Sequence, residues 1–94
     1  MHYVVSCIDK AGHLPVRQAN RAAHLEFLKA NADTFLIAGP YLDGDGNMIG
    51  GHLICEAVDL KTLQTVLAED PYARAGLFES VDVKPWKWVI GAPG

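Results

Sequence analysis

The chain has little positive charge and no long apolar run. Among its 94 residues, eight Lys and Arg stand against eleven Asp and Glu, which gives a formal net charge of −3. Proteins that bind nucleic acid need a basic surface against the phosphates, so we expect no nucleic-acid partner. No apolar stretch approaches membrane-spanning length and no signal peptide opens the chain, so we expect a cytoplasmic protein that makes no membrane contact.

The chain also lacks the motifs that hold common cofactors and metals. Neither a GxGxxG nor a GxxxxGK[ST] loop occurs, and the GxSxG pattern around a serine nucleophile is absent. No pair of histidines has HxH or HxxxH spacing, and no CxxC accompanies them. We therefore expect no cofactor and no metal. Cys7 and Cys55 lie in apolar stretches, so we expect buried free thiols, although a disulfide stays open.

Half of the residues are hydrophobic and a fifth are charged, a composition typical of a globular protein, and the length predicts one domain over 1–94. Runs of β-branched and apolar residues predict strands, and apolar residues at three- and four-residue spacing predict helices. Gly39-Pro40 is expected to end the second strand. The predicted elements are strands over 3–8, 34–38, 48–57 and 77–89, helices over 16–32 and between Asp59 and Pro71, one further turn over 71–75 and a frayed tail over 91–94.

The order β-α-β-β-α-β is typical of a ferredoxin-like α+β fold, in which an antiparallel sheet carries both helices on one face. The other face of the sheet then needs a cover. Strict alternation along the second strand puts Phe35 and Ile37 on one side and Leu36 and Ala38 on the other, so neither side suits water. We therefore expect a second copy to pack face to face with the first, giving a homodimer.

One side of the first helix carries the residues with the most chemistry. Arg17, Arg21, His24 and Leu28 recur at four- and three-residue steps, so they share one side of that helix. A carboxylate brought beside an imidazole fixes its tautomer and stabilises its protonated form, which makes an acid/base pair that works near neutral pH. Asp70, after the second helix, is the candidate carboxylate.

Each of these residues also has an ordinary structural interpretation. His24 fits a helix-surface histidine without chemistry, and long basic side chains such as Arg21 are usually solvated. Asp70 before Pro-Tyr is a good N-cap for the turn that follows. Tyr72 fits a packing residue, and Gly39-Pro40 fits the end of a strand.

The motifs together resemble those of the YciI-like (YCII-related) family. The resemblance implies a dimeric α/β barrel of ferredoxin-like subunits with a cleft that contains a catalytic His-Asp pair, which maps onto His24 and Asp70. It further implies that Arg21, Gly39, Pro40 and Tyr72 line this cleft and bind the substrate. The motifs that carry the resemblance are Arg21-x-x-His24-Leu25, Ala38-Gly39-Pro40, Asp70-Pro71-Tyr72, Gly76-Leu77-Phe78 and Val83-x-Pro85-Trp86.

Three classes of function follow from this sequence. The first is a small enzyme that uses the His-Asp dyad for proton transfer, as in isomerisation or elimination of HX, on a small anionic or aromatic molecule. In it His24 is the general base or acid, Asp70 orients it, and Arg21 attracts the anionic group of the substrate. The second is a module that binds a small ligand or another protein without chemistry. The third is a structural dimerisation domain.

Overall fold

The computed structural model describes residues 1–92. The predicted order of elements and the ferredoxin-like α+β class are confirmed, and the further turn predicted over 71–75 is a short third helix. The elements along the described residues are β1 (His2–Asp9), α1 (Leu14–Ala30), β2 (Phe35–Leu42), β3 (Met48–Glu56), α2 (Leu60–Leu67), α3 (Pro71–Arg74) and β4 (Phe78–Trp86).

The four strands form one antiparallel sheet in the order β2-β3-β1-β4. Alternate residues of β1 point to the helix side, where they join the hydrophobic core with β3 and the helices. The remaining residues of β1 point to the opposite side, which we call the open face. The core includes Tyr3, Val5, Cys7, Leu53, Cys55 and Leu63, with Phe27 and Leu28 of α1 packed against it.

Local sequence explains where the helices begin and end. Pro15 lies in the first turn of α1, and the Asn31 side chain donates to the Phe27 carbonyl where that helix ends. Asp59 caps α2, as predicted, by accepting a hydrogen bond from the Thr62 N–H at 2.8 Å.

The structure corrects two predictions about β2. The strand does not end before Gly39-Pro40 but continues to Leu42, because β2 is an edge strand and Pro40 can lie in it without leaving an unmade ladder bond. Phe35 and Ile37 do not share a face either. Phe35 is opposite Cys55 and Ile37 is opposite Ile54, so an extra residue forms a bulge that shifts the alternation. Phe35 therefore joins the core, while Ile37 lies on the open face.

Gly50 marks a close approach between β1 and β3. Any Cβ at this position would overlap the Cys7 carbonyl, so only glycine fits here. The residue lies beside a second register shift, between Tyr41 and Leu42 on the neighbouring strand. Its carbonyl bonds to a side chain of α1, as described below.

Both cysteines are buried free thiols, as expected. Burial raises the pKa of Cys7 and of Cys55 to about 12, so both thiols stay protonated at neutral pH. Within residues 1–92, no helix combines the length and the apolar character needed to span a membrane. Of the tail predicted over 91–94, residues 93 and 94 lie outside the described part of the chain.

Candidate active site

A cleft of about 210 Å³ lies between α1 and the helix side of the sheet. This volume is at or below the small end of the range of ligand pockets, so the cleft suits a ring-sized molecule. Its walls are largely apolar, with contributions from Leu25, Leu28 and Phe78. The structure brings to this one cleft all of the residues singled out in the sequence, namely Arg21, His24, Gly39, Pro40, Asp70 and Tyr72.

His24 and Asp70 meet although 46 residues separate them. The imidazole Nδ1 lies 2.8 Å from Asp70 Oδ1, and the two side chains are 14% and 5% exposed. Because an ionised carboxylate only accepts hydrogen bonds, Nδ1 carries the proton and donates to Asp70. Nε2 is then the nitrogen of His24 that is free to exchange a proton.

Asp70 is also an N-cap, so the ordinary interpretation of this residue holds together with the pairing. The same oxygen, Oδ1, accepts the backbone N–H of Tyr72 at 2.9 Å, which starts α3. The cap fixes where the carboxylate points, and α1 supplies the histidine. The sequence Asp70-Pro71-Tyr72 thus places a buried carboxylate where the imidazole reaches it.

Tyr72 packs its ring against His24. The two rings are stacked, with centroids 3.9 Å apart and planes inclined by 15°. Burial raises the pKa of the Tyr72 phenol, and the positive charges of Arg17 and Arg21 offset only part of this. The phenol is therefore a hydroxyl, able to donate a hydrogen bond, throughout the neutral range.

Arg17 is the residue of the site that the sequence interpretation missed. It is 4% exposed and donates from Nε to Asp9 Oδ2 at 2.7 Å and from Nη2 to Asp9 Oδ1 at 3.0 Å. Nη2 also donates to the Gly50 carbonyl at 2.9 Å. The available signal was its spacing from Arg21 and His24 on one side of α1, because an arginine on the same side of a helix as a candidate histidine is expected to face the same cleft.

The charges around the cleft leave one cation without a carboxylate. Arg17 is paired with Asp9, and His24 with Asp70. Arg21, at the exposed end of the lining, has no ion pair with any residue from 1 to 92. A neutral or singly charged acidic ligand is therefore better suited to this cleft than a cation.

Gly39 and Pro40 contribute to the wall formed by β2, as part of a continuing strand and not as a turn. Cys7 also borders the cleft, with its thiol protonated. Among the described residues, no three His, Cys, Asp or Glu side chains come together in a way that could hold a metal ion.

The family model of the YCII-related domain matches residues 1–87. The chain belongs to the YCII-related family. It is 38% identical to protein YciI from Escherichia coli O6:H1, over 96% of this chain and 100% of that protein. An uncharacterized protein from Haemophilus influenzae is 33% identical over the same shares of the two chains.

Solved structures show the same fold. The 5-chloro-2-hydroxyhydroquinone dehydrochlorinase TftG from Burkholderia phenoliruptrix, solved in complex with 2,5-dihydroxybenzoquinone, superimposes with a TM-score of 0.87. It is 34% identical, and the match covers 93% of this chain and 94% of TftG. An uncharacterized NIPSNAP domain protein from Burkholderia xenovorans, 13% identical with a TM-score of 0.54, shares the fold alone over 99% of this chain and 98% of its own.

Proposed function

We propose that this protein is an enzyme that transfers a proton on a small anionic or aromatic molecule, in an isomerisation or in the elimination of HX. The observation that carries the proposal is the 2.8 Å contact between His24 Nδ1 and Asp70 Oδ1 at a cleft of ring size. A histidine whose one nitrogen is held by a buried carboxylate presents the other nitrogen as a general base.

The proton moves to Nε2 of His24, and Asp70 stabilises the imidazolium that forms because its carboxylate lies against Nδ1–H. In an elimination from a hydroxylated chloroarene, the proton taken from one ring hydroxyl is returned to the carbon that bears the chlorine. A second hydroxyl then loses its proton to His24, its oxygen forms a carbonyl, and the halide leaves with the electrons of the broken carbon–halogen bond. In an isomerisation, His24 returns the proton to another atom of the same molecule. Neither course needs a further reactant.

Arg21 and Tyr72 bind the substrate in this proposal. The guanidinium of Arg21 attracts a carboxylate or phenolate, since no ion pair with the described residues occupies it. The Tyr72 hydroxyl donates a hydrogen bond to an oxygen of the substrate. Gly39 and Pro40 form the wall along which a flat ring lies.

The comparison with TftG supports an enzyme for a small aromatic molecule. TftG, a dehydrochlorinase by name, shares the fold with 34% identity, and its structure holds a single-ring quinone. HX elimination is one of the two reaction types that the His24–Asp70 pair suits. We further propose that the protein is cytoplasmic, as the sequence predicts.

A homodimer completes the proposal. Ile8, Ile37 and Trp86 lie on the open face and are 42%, 46% and 39% exposed. Exposed apolar side chains grouped on one face indicate a surface for a protein partner. Several polar groups of this face are already paired, since the Tyr41 hydroxyl lies 3.0 Å from Ser6 Oγ and 3.2 Å from His52 Nδ1, and Lys84 Nζ lies 3.1 Å from Asp82 Oδ2. Packing against a second copy therefore buries no unpaired polar group among them.

The proposal is tested with 5-chloro-2-hydroxyhydroquinone, by following chloride release together with the absorbance of the ring. We expect turnover by the wild-type protein and none by His24→Ala. Full activity of a folded His24→Ala variant contradicts the mechanism. Binding of 2,5-dihydroxybenzoquinone, measured by saturable thermal stabilisation, without turnover of any chlorinated hydroquinone supports the ligand-binding alternative.

A further inference from the structure

The pair formed by Asp9 and Arg17 takes no part in the proton transfer described above, although it lies at the same cleft. Both side chains are almost fully buried, at 6% and 5% exposure. Burying two charges in a core of this size costs free energy that the pair's own attraction offsets only with good geometry. The buried position of Arg17 therefore indicates a role in the protein that offsets this cost.

Arg17 and His24 both pack against the Tyr72 ring. The Arg17 Cζ atom is 4.7 Å from the centroid of that ring, and the imidazole centroid is 3.9 Å from it. The two residues are two turns apart on α1, roughly 10 Å along the helix axis. The Tyr72 ring therefore contacts both residues, although they start two turns apart on the same helix.

The guanidinium is fixed from three sides. Nε and Nη2 donate to the two oxygens of Asp9, and Nη2 also donates to the Gly50 carbonyl. Both acceptors lie at irregularities of the sheet, where β1 shifts register at Ile8 and Asp9 and where β2 shifts register opposite Gly50. A planar fork bound in this way has one orientation, and it lies over the Tyr72 ring, with Cζ 4.7 Å from the ring centroid.

We propose that Arg17 is a positioning residue for His24: clamped by Asp9 and the Gly50 carbonyl, it holds the Tyr72 ring in place as the surface on which the imidazole stacks. The hydrogen bond to Asp70 alone leaves the imidazole free to swing about the line from Nδ1 to Oδ1. A fixed ring against its face removes this freedom, so that Nε2 keeps one direction. The consequence for turnover rests on the proposed function, but the positioning does not.

Direct binding of the substrate by Arg17 is a different role, and the contacts argue against it. The fork is already hydrogen-bonded to Asp9 and to the Gly50 carbonyl, and it lies over the Tyr72 ring. Arg21, one turn further along α1, is the exposed guanidinium of the cleft. Loss of Arg17 is therefore expected to change kcat, whereas a substrate-binding role would change KM.

The test uses the double variant Arg17→Met/Asp9→Asn, which removes both charges and leaves no buried charge unpaired. Arg17→Lys keeps the charge but loses the planar fork. Arg74→Met is the matched control, since Arg74 is exposed on α3. All four proteins, wild type included, are first shown to unfold cooperatively.

The first readout is the NMR chemical shift of the His24 ring protons. The ring current of the stacked Tyr72 side chain shifts these protons upfield. We expect these protons to move downfield in the double variant, to a smaller extent in Arg17→Lys, and not at all in Arg74→Met. Unchanged shifts in a folded double variant overturn the proposal. This readout needs no substrate, so it stands even if the protein turns over no chlorinated hydroquinone.

The second readout is steady-state turnover of 5-chloro-2-hydroxyhydroquinone. A loss of aligned geometry lowers kcat by up to about 100-fold in the double variant, while KM stays within about twofold of the wild-type value. A raised KM with unchanged kcat overturns the proposal, because it makes Arg17 a substrate-binding residue. Absence of turnover in the wild type contradicts the proposed function and leaves the NMR result to decide the positioning.

Discussion

On the helix side of the sheet, the charged groups of Asp9, Arg17 and Asp70 are at most 6% exposed, whereas on the open face Ile8 and Ile37 are 42% and 46% exposed. Each side of the sheet thus holds a few side chains that depart from the usual distribution, with charges inside and apolar groups outside. Among residues 1–92, no buried side-chain nitrogen or oxygen lacks a hydrogen-bond partner. The buried charged groups are therefore all hydrogen-bonded, as in a functional site. The exposed apolar side chains form a surface for association.

The same comparison can be made between two histidine–carboxylate pairs of equal length. His24 Nδ1 lies 2.8 Å from Asp70, and His2 Nε2 lies 2.8 Å from Glu56. The first pair is almost buried at the cleft, while His2 and Glu56 are 33% and 45% exposed. Distance alone therefore does not mark a site. What distinguishes His24 is burial, a stacked ring and a neighbouring cavity.

The largest expected effect is on turnover, from His24→Ala. Loss of a general base lowers kcat by about 10² to 10⁴-fold, and we expect this in the chlorohydroquinone assay of the folded variant. His2→Ala is the matched control, because it removes the other paired histidine at the edge of the open face. Equal losses of activity in the two variants would mean that the two pairs do not differ in function.

The second effect is on stability, from Asp9→Asn. This change leaves the buried guanidinium of Arg17 without its carboxylate, which costs about 3–5 kcal/mol in the free energy of unfolding. Urea denaturation measures it. Asp82→Asn breaks the pair with Lys84 on the open face, whose atoms are 3.1 Å apart, and should change the stability of the monomer little because the pair is exposed within one copy and exposed pairs are weak. The contrast fails if both variants lose the same stability.

The third effect is on association, from Ile37→Lys. An ammonium in place of this apolar side chain loses water in a face-to-face dimer, so we expect this variant to sediment as a monomer with unchanged secondary structure. Val58 is an exposed apolar residue in the connection before α2, so Val58→Lys should sediment with the same mass as the wild-type protein. A wild-type protein that is monomeric at every concentration contradicts the dimer.

The sequence predicted the order of elements because periodicity and capping are local signals. It also singled out His24 and Asp70, and the structure brings them together, although their catalytic role stays a prediction. The bulge in β2 left no such signal, since an extra residue in an alternating apolar strand does not change its composition. The pairing of Asp9 with Arg17 depends on how α1 lies across β1, which spacing along the helix does not specify. Pro40 reads locally as a strand end, and only its position at the sheet edge makes it a strand residue.

The smallest expected effect is that of Asp59→Ala, and its comparison with Asp70→Ala separates the two roles of Asp70. Asp59 and Asp70 each accept a backbone N–H at the start of a helix, at 2.8 and 2.9 Å, but only Asp70 also holds a histidine. Asp59→Ala should lower Tm by a few degrees and leave turnover unchanged, because it removes a cap alone. Asp70→Ala should lower Tm further and remove turnover. If Asp70→Ala keeps its activity, the Asp70 carboxylate is only a helix cap, and His24 does not need it as a base. If Asp70→Ala loses activity while Asp59→Ala keeps it, turnover requires the pairing with His24 and not the capping.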